Sequence, residues 1–403
     1  MSQPPRIAYL VSQYPATNHT FILREILGLR GLGLEPGVIS IRPADRAPQQ
    51  MTPAECAEAR ATFYVKEAGV WGFLAAHART LTRSPLRYVT GLTQAVKLSG
   101  FVPRRLAFHL AYFAEAVVAG NWMRINGFRH LHSHFSSTVA MLVGSTFPIT
   151  WSATLHGPDE FSDPTGFHLK EKCRSSLFLV AISEHGRDHL SRFADPEDRA
   201  RIAVCRLGVD PSLFSPAPFR PHPERFGLLC VGRLAPVKSH LTLLAAVGIL
   251  TAQGRALRLR IAGDGPLRAS LQAEITARKL DSVVSLEGAL NQDRLLPLYA
   301  AADMFVLPSL AEGVPVVLME AMAMEIACVA TAVNGVPELI RNEVEGLLVQ
   351  PSDPESLAKA IARLMDSSLL RRQLAAAGRQ RVLERYDIER NINALRDIFE
   401  KSL

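Results

Sequence analysis

The stretch Met304-Phe-Val-Leu307-Pro-Ser-Leu-Ala-Glu312-Gly-Val-Pro315-Val-Val-Leu-Met-Glu320-Ala-Met-Ala-Met-Glu325-Ile-Ala-Cys328-Val-Ala-Thr-Ala332 sets the fold class. Its first four residues are a strand-sized apolar run. Pro315 suits a first helical turn, where a missing N–H costs nothing. Residues 316–324 are apolar on nearly every side, so the helix expected at 315–324 is buried. A second strand follows at 328–332. Strand, buried helix and strand together form the crossover unit of a parallel sheet.

Working outward, the same alternation holds. Strands are expected at 228–232, 257–262 and 283–288, with helices at 239–253, 267–278 and 294–300. In the first half, strands at 7–11, 37–42, 130–135, 149–155, 177–182 and 202–206 alternate with a helix at 20–32 and further helices. Between the halves, residues 214–223 hold four prolines, the composition of a linker. The fold class is therefore α/β, two doubly wound Rossmann-like domains expected to face across a cleft. The boundaries are 1–213 for the N-terminal domain, with a basic helical insertion at about 66–129, then the 214–223 linker, then 224–385 for the C-terminal domain. Residues 386–403 are expected to form a helix packing back on the N-terminal domain.

With 403 residues, 48% hydrophobic and 21% charged, the chain can bury large cores, which excludes disorder. No apolar run reaches the ~18 residues of a membrane span. The start, Met1-Ser-Gln-Pro-Pro-Arg6, runs into a strand without the apolar core of a secretory signal, so a cytoplasmic placement is expected. Five scattered cysteines argue against a disulfide framework or zinc ribbon.

The net charge of +7 is local. Between Lys66 and Arg129 lie nine basic residues (Lys66, Arg79, Arg83, Arg87, Lys97, Arg104, Arg105, Arg124, Arg129) against Glu67 and Glu115, which is the whole excess. Trp71, Phe73, Tyr88, Phe101, Phe108, Tyr112, Phe113 and Trp122 interleave with them. Two readings stand side by side: a basic helical pair with core aromatics, or a surface meeting anionic lipid at the inner face of the membrane. No recognised binding motif accompanies the charge, so nucleic acid is not an expected partner.

In sheets of this kind ligands bind outside the carboxyl ends of the strands. The helix beginning at Pro315 leaves backbone N–H groups around Gly313 and Val314 pointing into that mouth, which suits a phosphate. Glu320, a carboxylate in an apolar helix, must have partners; a core contact is one reading, the two hydroxyls of a ribose another. Arg233 and Lys238 follow a strand end on the same domain, and two cations suit a departing diphosphate.

Glu312 and Glu320, in the frame Glu-Gly-x-Pro-x-x-x-x-Glu-Ala-x-Ala, resemble the glutamate pair of the retaining glycosyltransferases of family 4, which have the two-domain GT-B fold. Val231-Gly-Arg233-Leu-Ala-Pro-Val-Lys238, Ala262-Gly-Asp-Gly-Pro-Leu-Arg268, Asn334-Gly-Val-Pro-Glu338 and Gly208-Val-Asp210 with Phe214 extend the resemblance over nearly the whole chain. It implies that Arg233 and Lys238 hold the donor diphosphate, with Gly313 and Val314 at the helix start, Glu320 the ribose, and Glu312 a hydroxyl of the transferred sugar. Thr154-Leu-His156-Gly157-Pro-Asp159-Glu-Phe161 resembles the family's His-Gly loop, which makes His156 the group facing the donor sugar and places Gly157 and Asp159 beside it. Ser12 to Glu25 looks like the first loop and helix of polysaccharide-building members, which would bring Thr20 to the acceptor. Where those members usually read Ser-Glu-Thr-Phe, this chain has Asn18-His19-Thr20-Phe21.

The chain contains no Asp-x-Asp pair to clamp a metal, so neither metal nor cofactor is expected, and leaving-group charge falls to side chains and a helix dipole. His130-Leu-His132-Ser-His134 puts three imidazoles on one strand face, with the outer two ~13 Å apart, too far to share one zinc easily. Gly31-Leu-Gly33 follows a helix instead of opening one, so it reads as a helix end and not a dinucleotide fingerprint. Glu325 stands where the family usually has the glycine that ends the buried helix in a left-handed conformation. The function implied is transfer of a sugar, with retention, from a nucleotide-diphosphate donor to a glycan or lipid-linked acceptor in cell-surface polysaccharide or glycolipid synthesis. The alternatives are a nucleotide-sugar 2-epimerase of the same fold or a degenerate member that binds without turnover.

Overall fold

The protein, as a computed structural model, is described for residues 6–100 and 102–403, the side chains of Asn18, Pro158 and Asp159 excepted. It divides into two compact units: Met1–Cys205 with Ile392–Leu403, and Arg206–Asn391.

The first unit is built on seven strands: β1 (Ile7–Gln13), β2 (Gly37–Arg42), β3 (Phe63–Tyr64), β4 (His130–His134), β5 (Thr150–Leu155), β6 (Phe178–Ala181) and β7 (Ile202–Val204). All neighbours pair parallel, in the order β3-β2-β1-β4-β5-β6-β7. Ile7 to Val11 are all buried, so β1 is covered on both faces, as a parallel sheet with crossover helices requires. The second unit has six strands: β8 (Phe226–Val231), β9 (Leu257–Ala262), β10 (Val284–Gly288), β11 (Met304–Leu307), β12 (Ala327–Thr331) and β13 (Leu347–Val349). Their order is β10-β9-β8-β11-β12-β13, again parallel throughout. Both sheets thus have the doubly wound architecture expected of a GT-B protein.

The order of strands locates the sites. Each sheet reverses direction beside its first strand, between β1 and β4 in one unit and between β8 and β11 in the other. Loops leaving those strands at their carboxyl ends part to opposite faces and open a crevice.

Three readings of the sequence change. The Pro-rich 214–223 segment belongs to the second unit and is strapped to it: Arg371, 1% exposed, donates from Nη2 to the carbonyls of Arg220 and Pro221, both at 2.8 Å, and Arg220 pairs with Asp303 at 3.0 Å. The boundary falls between Cys205 and Arg206. The basic insertion is three helices, Gly69–Arg83, Pro85–Leu98 and Pro103–Ile125, where a pair was expected. Beyond 385 the helix Ile388–Ser402 contributes its residues from Ile392 to the first unit, with Phe399 buried against Tyr9, His130, His132 and Phe178. Among the described residues no helix is long and apolar enough to cross a membrane.

Candidate functional site

In the second unit the loop after β8 passes through Arg233 to a 3-10 turn, Pro236–Lys238, and the loop after β11 carries Ser309 and Glu312. Lys238 Nζ lies 2.5 Å from Glu312 Oε1, and Ser309 Oγ donates to the same oxygen at 2.5 Å. Glu312 is only 7% exposed, so its carboxylate is held by one cation and one hydroxyl. Its backbone N–H donates to Asn334 Oδ1 at 3.3 Å, and Leu310 N–H donates to Val237 O at 2.7 Å, tying three loops together. Arg233 stands exposed beside them.

Glycines mark where these loops touch backbone to backbone. A Cβ on Gly263, whose φ is +145°, would sit 2.0 Å from Gly232 O; one on Gly265 would sit 2.5 Å from Leu234 O, and one on Gly335 2.0 Å from Gly313 O. The Gly-Asp-Gly-Pro turn and the Asn-Gly pair are therefore packing requirements that press the loops together.

The buried helix spans Val316–Ala323, with Pro315 at the N-cap position instead of inside the first turn. Glu320, 6% exposed, receives a hydrogen bond from the Tyr299 hydroxyl, 3.0 Å from Oε2. The same hydroxyl is 3.1 Å from Val317 O. Burial, then the Glu320 charge, pushes the Tyr299 phenol well up, so it stays a donor. Tyr299 was missed from the sequence, although a tyrosine on the inner side of a helix needs a partner for its hydroxyl.

In the first unit the strand β4 places His130, His132 and His134 alongside Thr150, Ser152 and Thr154 of β5. His130 bonds Thr150 and Ser152, and His132 bonds Ser152 and Thr154, at 2.7 to 2.9 Å. Burial holds His130 down at about 3, and holds His132 well below the usual imidazole range, with the neighbouring histidines adding to it. His134 turns the other way along the strand end: Nε2 is 3.1 Å from Glu25 Oε1 and Nδ1 is 2.9 Å from His156 Nε2. Tyr9 OH donates to Glu25 Oε1 at 2.7 Å, and the Tyr9 ring stacks on His134. Ligand atoms of Glu25, His132 and His134 lie within 4.8 Å of one another, which is a metal-sized grouping. Each of those atoms already has a protein hydrogen-bond partner, so the chemistry present is that of a hydrogen-bonded chain.

His156 ends that chain at the mouth. Its ring stacks on Phe135 (centroids 4.4 Å apart), and Phe135 stacks on His19 (4.6 Å). Phe135 takes a left-handed φ of +60°, a strained conformation held by these contacts. Burial, then His134 and His19, keep the His156 pKa well below the usual range. The backbone N–H of His156 donates to Glu160 Oε2 at 3.2 Å. Gly157 follows at φ +115°, ψ −109°, a region closed to other residues. Thr20 opens the helix Thr20–Gly31 that carries Glu25. The side chain of Asp159 lies outside the described residues. The structure thus brings Lys238 and Glu312 into contact, carries Arg233, Gly313, Val314 and Glu320 on the segments that follow β8 and β11 of the second unit, and leaves His156 and Gly157 in the first.

Residues 216–381 match the family described as Glycosyl transferases group 1. The chain is 35% identical over 195 residues to a putative colanic acid biosynthesis glycosyltransferase, WcaL, of Escherichia coli (strain K12), a match spanning 47% of this chain and 48% of that one. It is 26% identical over 381 residues to the amylovoran biosynthesis glycosyltransferase AmsK of Erwinia amylovora, spanning 89% and 90%. A sucrose-phosphate synthase from Thermosynechococcus elongatus has the same fold, with a TM-score of 0.77 at 18% identity over 98% of each chain. Anabaena HepE in complex with UDP also shares it, with a TM-score of 0.71 at 16% identity over 98% of this chain and 100% of that one. The family match thus falls within the second unit, and the chain as a whole shares the two-sheet fold of these solved structures.

Proposed function

We propose that the protein is a glycosyltransferase of cell-surface polysaccharide synthesis, of the retaining family 4 type, taking its sugar from a nucleotide-diphosphate donor. The observation that carries this reading is the Lys238–Glu312 pair with Glu320 one helix turn and more behind it, at the β8/β11 switch point of the domain that matches the family. The relatives named for colanic acid and amylovoran biosynthesis support a glycan or lipid-linked acceptor. Arg233 and Lys238 neutralise the departing diphosphate together with the Gly313–Val314 amides. Glu320 takes the ribose hydroxyls, and Glu312 orients a hydroxyl of the transferred sugar. The acceptor hydroxyl attacks from the face the diphosphate leaves, so configuration is retained. In this reading no metal is needed, since Arg233 and Lys238 supply the positive charge that a metal clamp would.

The test is incubation with a panel of nucleotide-sugars, with and without lipid-linked acceptor, scored for nucleoside diphosphate released and anomeric configuration formed, with EDTA in a parallel series. Transfer with retention that survives EDTA is expected. Inversion, epimerisation without acceptor, binding without turnover, or full loss to EDTA restored by Mn²⁺ would each overturn part of the reading.

The basic segment supports work at a membrane surface on the cytoplasmic side. On the helix Gly69–Arg83, the exposed Val70, Trp71, Leu74 and Leu81 fall within about 100° of one another around the axis. Trp71 is 83% exposed, and Leu86 on the next helix 84%. Arg79, Arg83, Arg87, Lys97, Arg104 and Arg105 are exposed on the same three helices, while Phe73, Tyr88, Tyr112, Phe113 and Trp122 pack into the core. Phe101 lies outside the described residues. Exposed apolar side chains and arginines on one helical segment suit insertion between anionic headgroups. Vesicle binding should require anionic lipid, fall with salt, and vanish when Arg83, Arg87, Arg104 and Arg105 are reversed to Glu; equal binding to neutral vesicles would count against it.

A further inference from the structure

Among the described residues His156 is reached from the protein side at one ring nitrogen, and what stands behind that nitrogen decides what the other can do. Glu25, 9% exposed, lies on the helix Thr20–Gly31; His134, 0% exposed, ends β4; His156 follows β5. They line up through two contacts, Glu25 Oε1 to His134 Nε2 at 3.1 Å and His134 Nδ1 to His156 Nε2 at 2.9 Å. A carboxylate only accepts, and its Oε1 already takes the Tyr9 hydroxyl proton at 2.7 Å. His134 must therefore carry a proton on Nε2. When His134 carries that proton alone, its Nδ1 offers a lone pair, and His156 must supply the hydrogen from its own Nε2. A second proton on His134 would reverse the order and put the hydrogen of His156 on Nδ1, so the tautomer of His156 reports which state the chain holds.

We propose that Glu25 and His134 are positioning residues that lock His156 as its Nε2–H tautomer, so that Nδ1 faces the ligand as an acceptor and reads a sugar hydroxyl. Phe135, stacked on the His156 ring at 4.4 Å, fixes the plane in which that lone pair points. The consequence is selectivity by group type. A hydroxyl donates to Nδ1 and is held. A carboxylate at the same carbon, as in a uronate, opposes lone pair with lone pair and is refused, and a deoxy carbon leaves Nδ1 without a partner. This rests on the reading of His156 as a sugar-facing group.

The experiment uses the full chain labelled with ¹⁵N-histidine, and reads which ring nitrogen of His156 is protonated, the signals being assigned by their loss in His156→Gln. Wild type should show a protonated Nε2 and a bare Nδ1. Glu25→Gln keeps an acceptor oxygen where Oε1 sits, so it should retain that signature and turnover. Glu25→Leu removes the acceptor, so the signature should be lost and kcat should fall about tenfold or more with little change in KM for the nucleotide-sugar, whose charged groups the proposed function assigns to Arg233, Lys238 and Glu320. Donor hydrolysis without acceptor, compared with transfer, shows whether the hydroxyl belongs to the donor sugar or to the acceptor. A proton on Nδ1 in the wild type overturns the proposal even if Glu25→Leu does not fold, as does Glu25→Leu with native tautomer and turnover. Native transfer by His156→Ala would instead defeat the sugar-facing reading, whatever the tautomer.

Discussion

The two units solve one architectural problem with opposite chemistry. Both put their candidate residues at the switch point of a parallel sheet, β1/β4 in one and β8/β11 in the other. The second unit fills that place with ions, Lys238 against Glu312, with Arg233 exposed and Glu320 held by Tyr299. The first fills it with imidazole rings and hydroxyls around the single carboxylate of Glu25: ten of the twelve histidines lie in that unit, three of them on β4 opposite Thr150, Ser152 and Thr154. In the proposed function, the ion pairs meet a diphosphate whose charge changes during reaction, and the imidazoles meet hydroxyls that must be told apart. The difference also makes the units unequal in what acid does to them.

Acid should separate the units most strongly. His130 is held at about 3 and His168 at about 4, with His132 and His156 well below the usual range, all by burial first. An unfolded histidine takes up its proton near 6.5, and these do not while folded. The stability they contribute is whole above about pH 6.5 and falls by about 1.4 kcal/mol per pH unit for each as pH drops toward the folded value. At pH 5 that is ~2 kcal/mol for each such group, several kcal/mol for the first unit. Only His240, at about 4, adds such a loss in the second. All three tryptophans, Trp71, Trp122 and Trp151, are in the first unit, so their fluorescence in urea reports it alone. Its midpoint should fall steeply from pH 7 to pH 5, ahead of the second unit followed by hydrogen exchange. Equal acid sensitivity would erase the contrast.

Next in size is the loss of transition-state charge stabilisation. Arg233→Ala, at an exposed position, should lower turnover about a hundredfold or more with the fold untouched. Lys238→Ala should do the same and also lower stability, since it leaves the nearly buried Glu312 carboxylate without its cation. Steady-state kinetics at a temperature well below unfolding distinguishes the two. Unchanged turnover in both would end the assignment of the diphosphate to this loop.

Much of the second unit could be read because its chemistry is local. Arg233 and Lys238 stand five residues apart, Glu312 and Glu320 eight, and the glycines at 263, 265 and 335 mark backbone contacts that any sequence building this crevice must respect. The first unit was legible only in halves. Period-two histidines on β4 and period-two hydroxyls on β5 are both visible, but the register that zips them, and the approach of Glu25 from a helix more than a hundred residues earlier, are tertiary facts. Two edge strands, β3 with two residues and β13 with three, are too short to show any alternation. The Pro-rich segment misled because its composition speaks of stiffness, while Arg371 decides what it is stiffly attached to.

Tyr299 is where that lesson can be measured at moderate cost. Glu320→Ala should weaken nucleotide-sugar binding by roughly tenfold or more, from lost charged hydrogen bonds of about 1.5 to 3 kcal/mol each. Tyr299→Phe keeps the carboxylate and removes one donor to it, so the loss should be smaller, up to about tenfold, and should appear in donor Kd by calorimetry with turnover at saturation nearly kept. Equal, severe losses would mean that Tyr299 shapes the crevice itself, beyond orienting Glu320.

The smallest effect concerns how the Glu320 helix stops. Met324 keeps a right-handed φ of −81°, and Glu325 turns to +56°. Glu325 N–H donates to Met322 O and Ile326 N–H to Ala321 O, both at 3.0 Å, the paired bonds of a Schellman end. A glutamate in that conformation carries a steric cost of order 1 kcal/mol or more, which glycine would relieve. Glycine also frees the unfolded chain, returning about 0.4 to 1 kcal/mol of that gain. Glu325 also lines a small cavity that Arg220 and Arg371 line, so its charge is a third variable. Glu325→Asn separates the terms, because asparagine tolerates the left-handed region and lacks the charge, while leaving unfolded-state entropy near that of other residues. Urea midpoints should therefore rise for Glu325→Asn and rise less, or stay level, for Glu325→Gly. A clear loss in both variants would mean that the glutamate side chain contributes more to this helix end than its left-handed conformation costs.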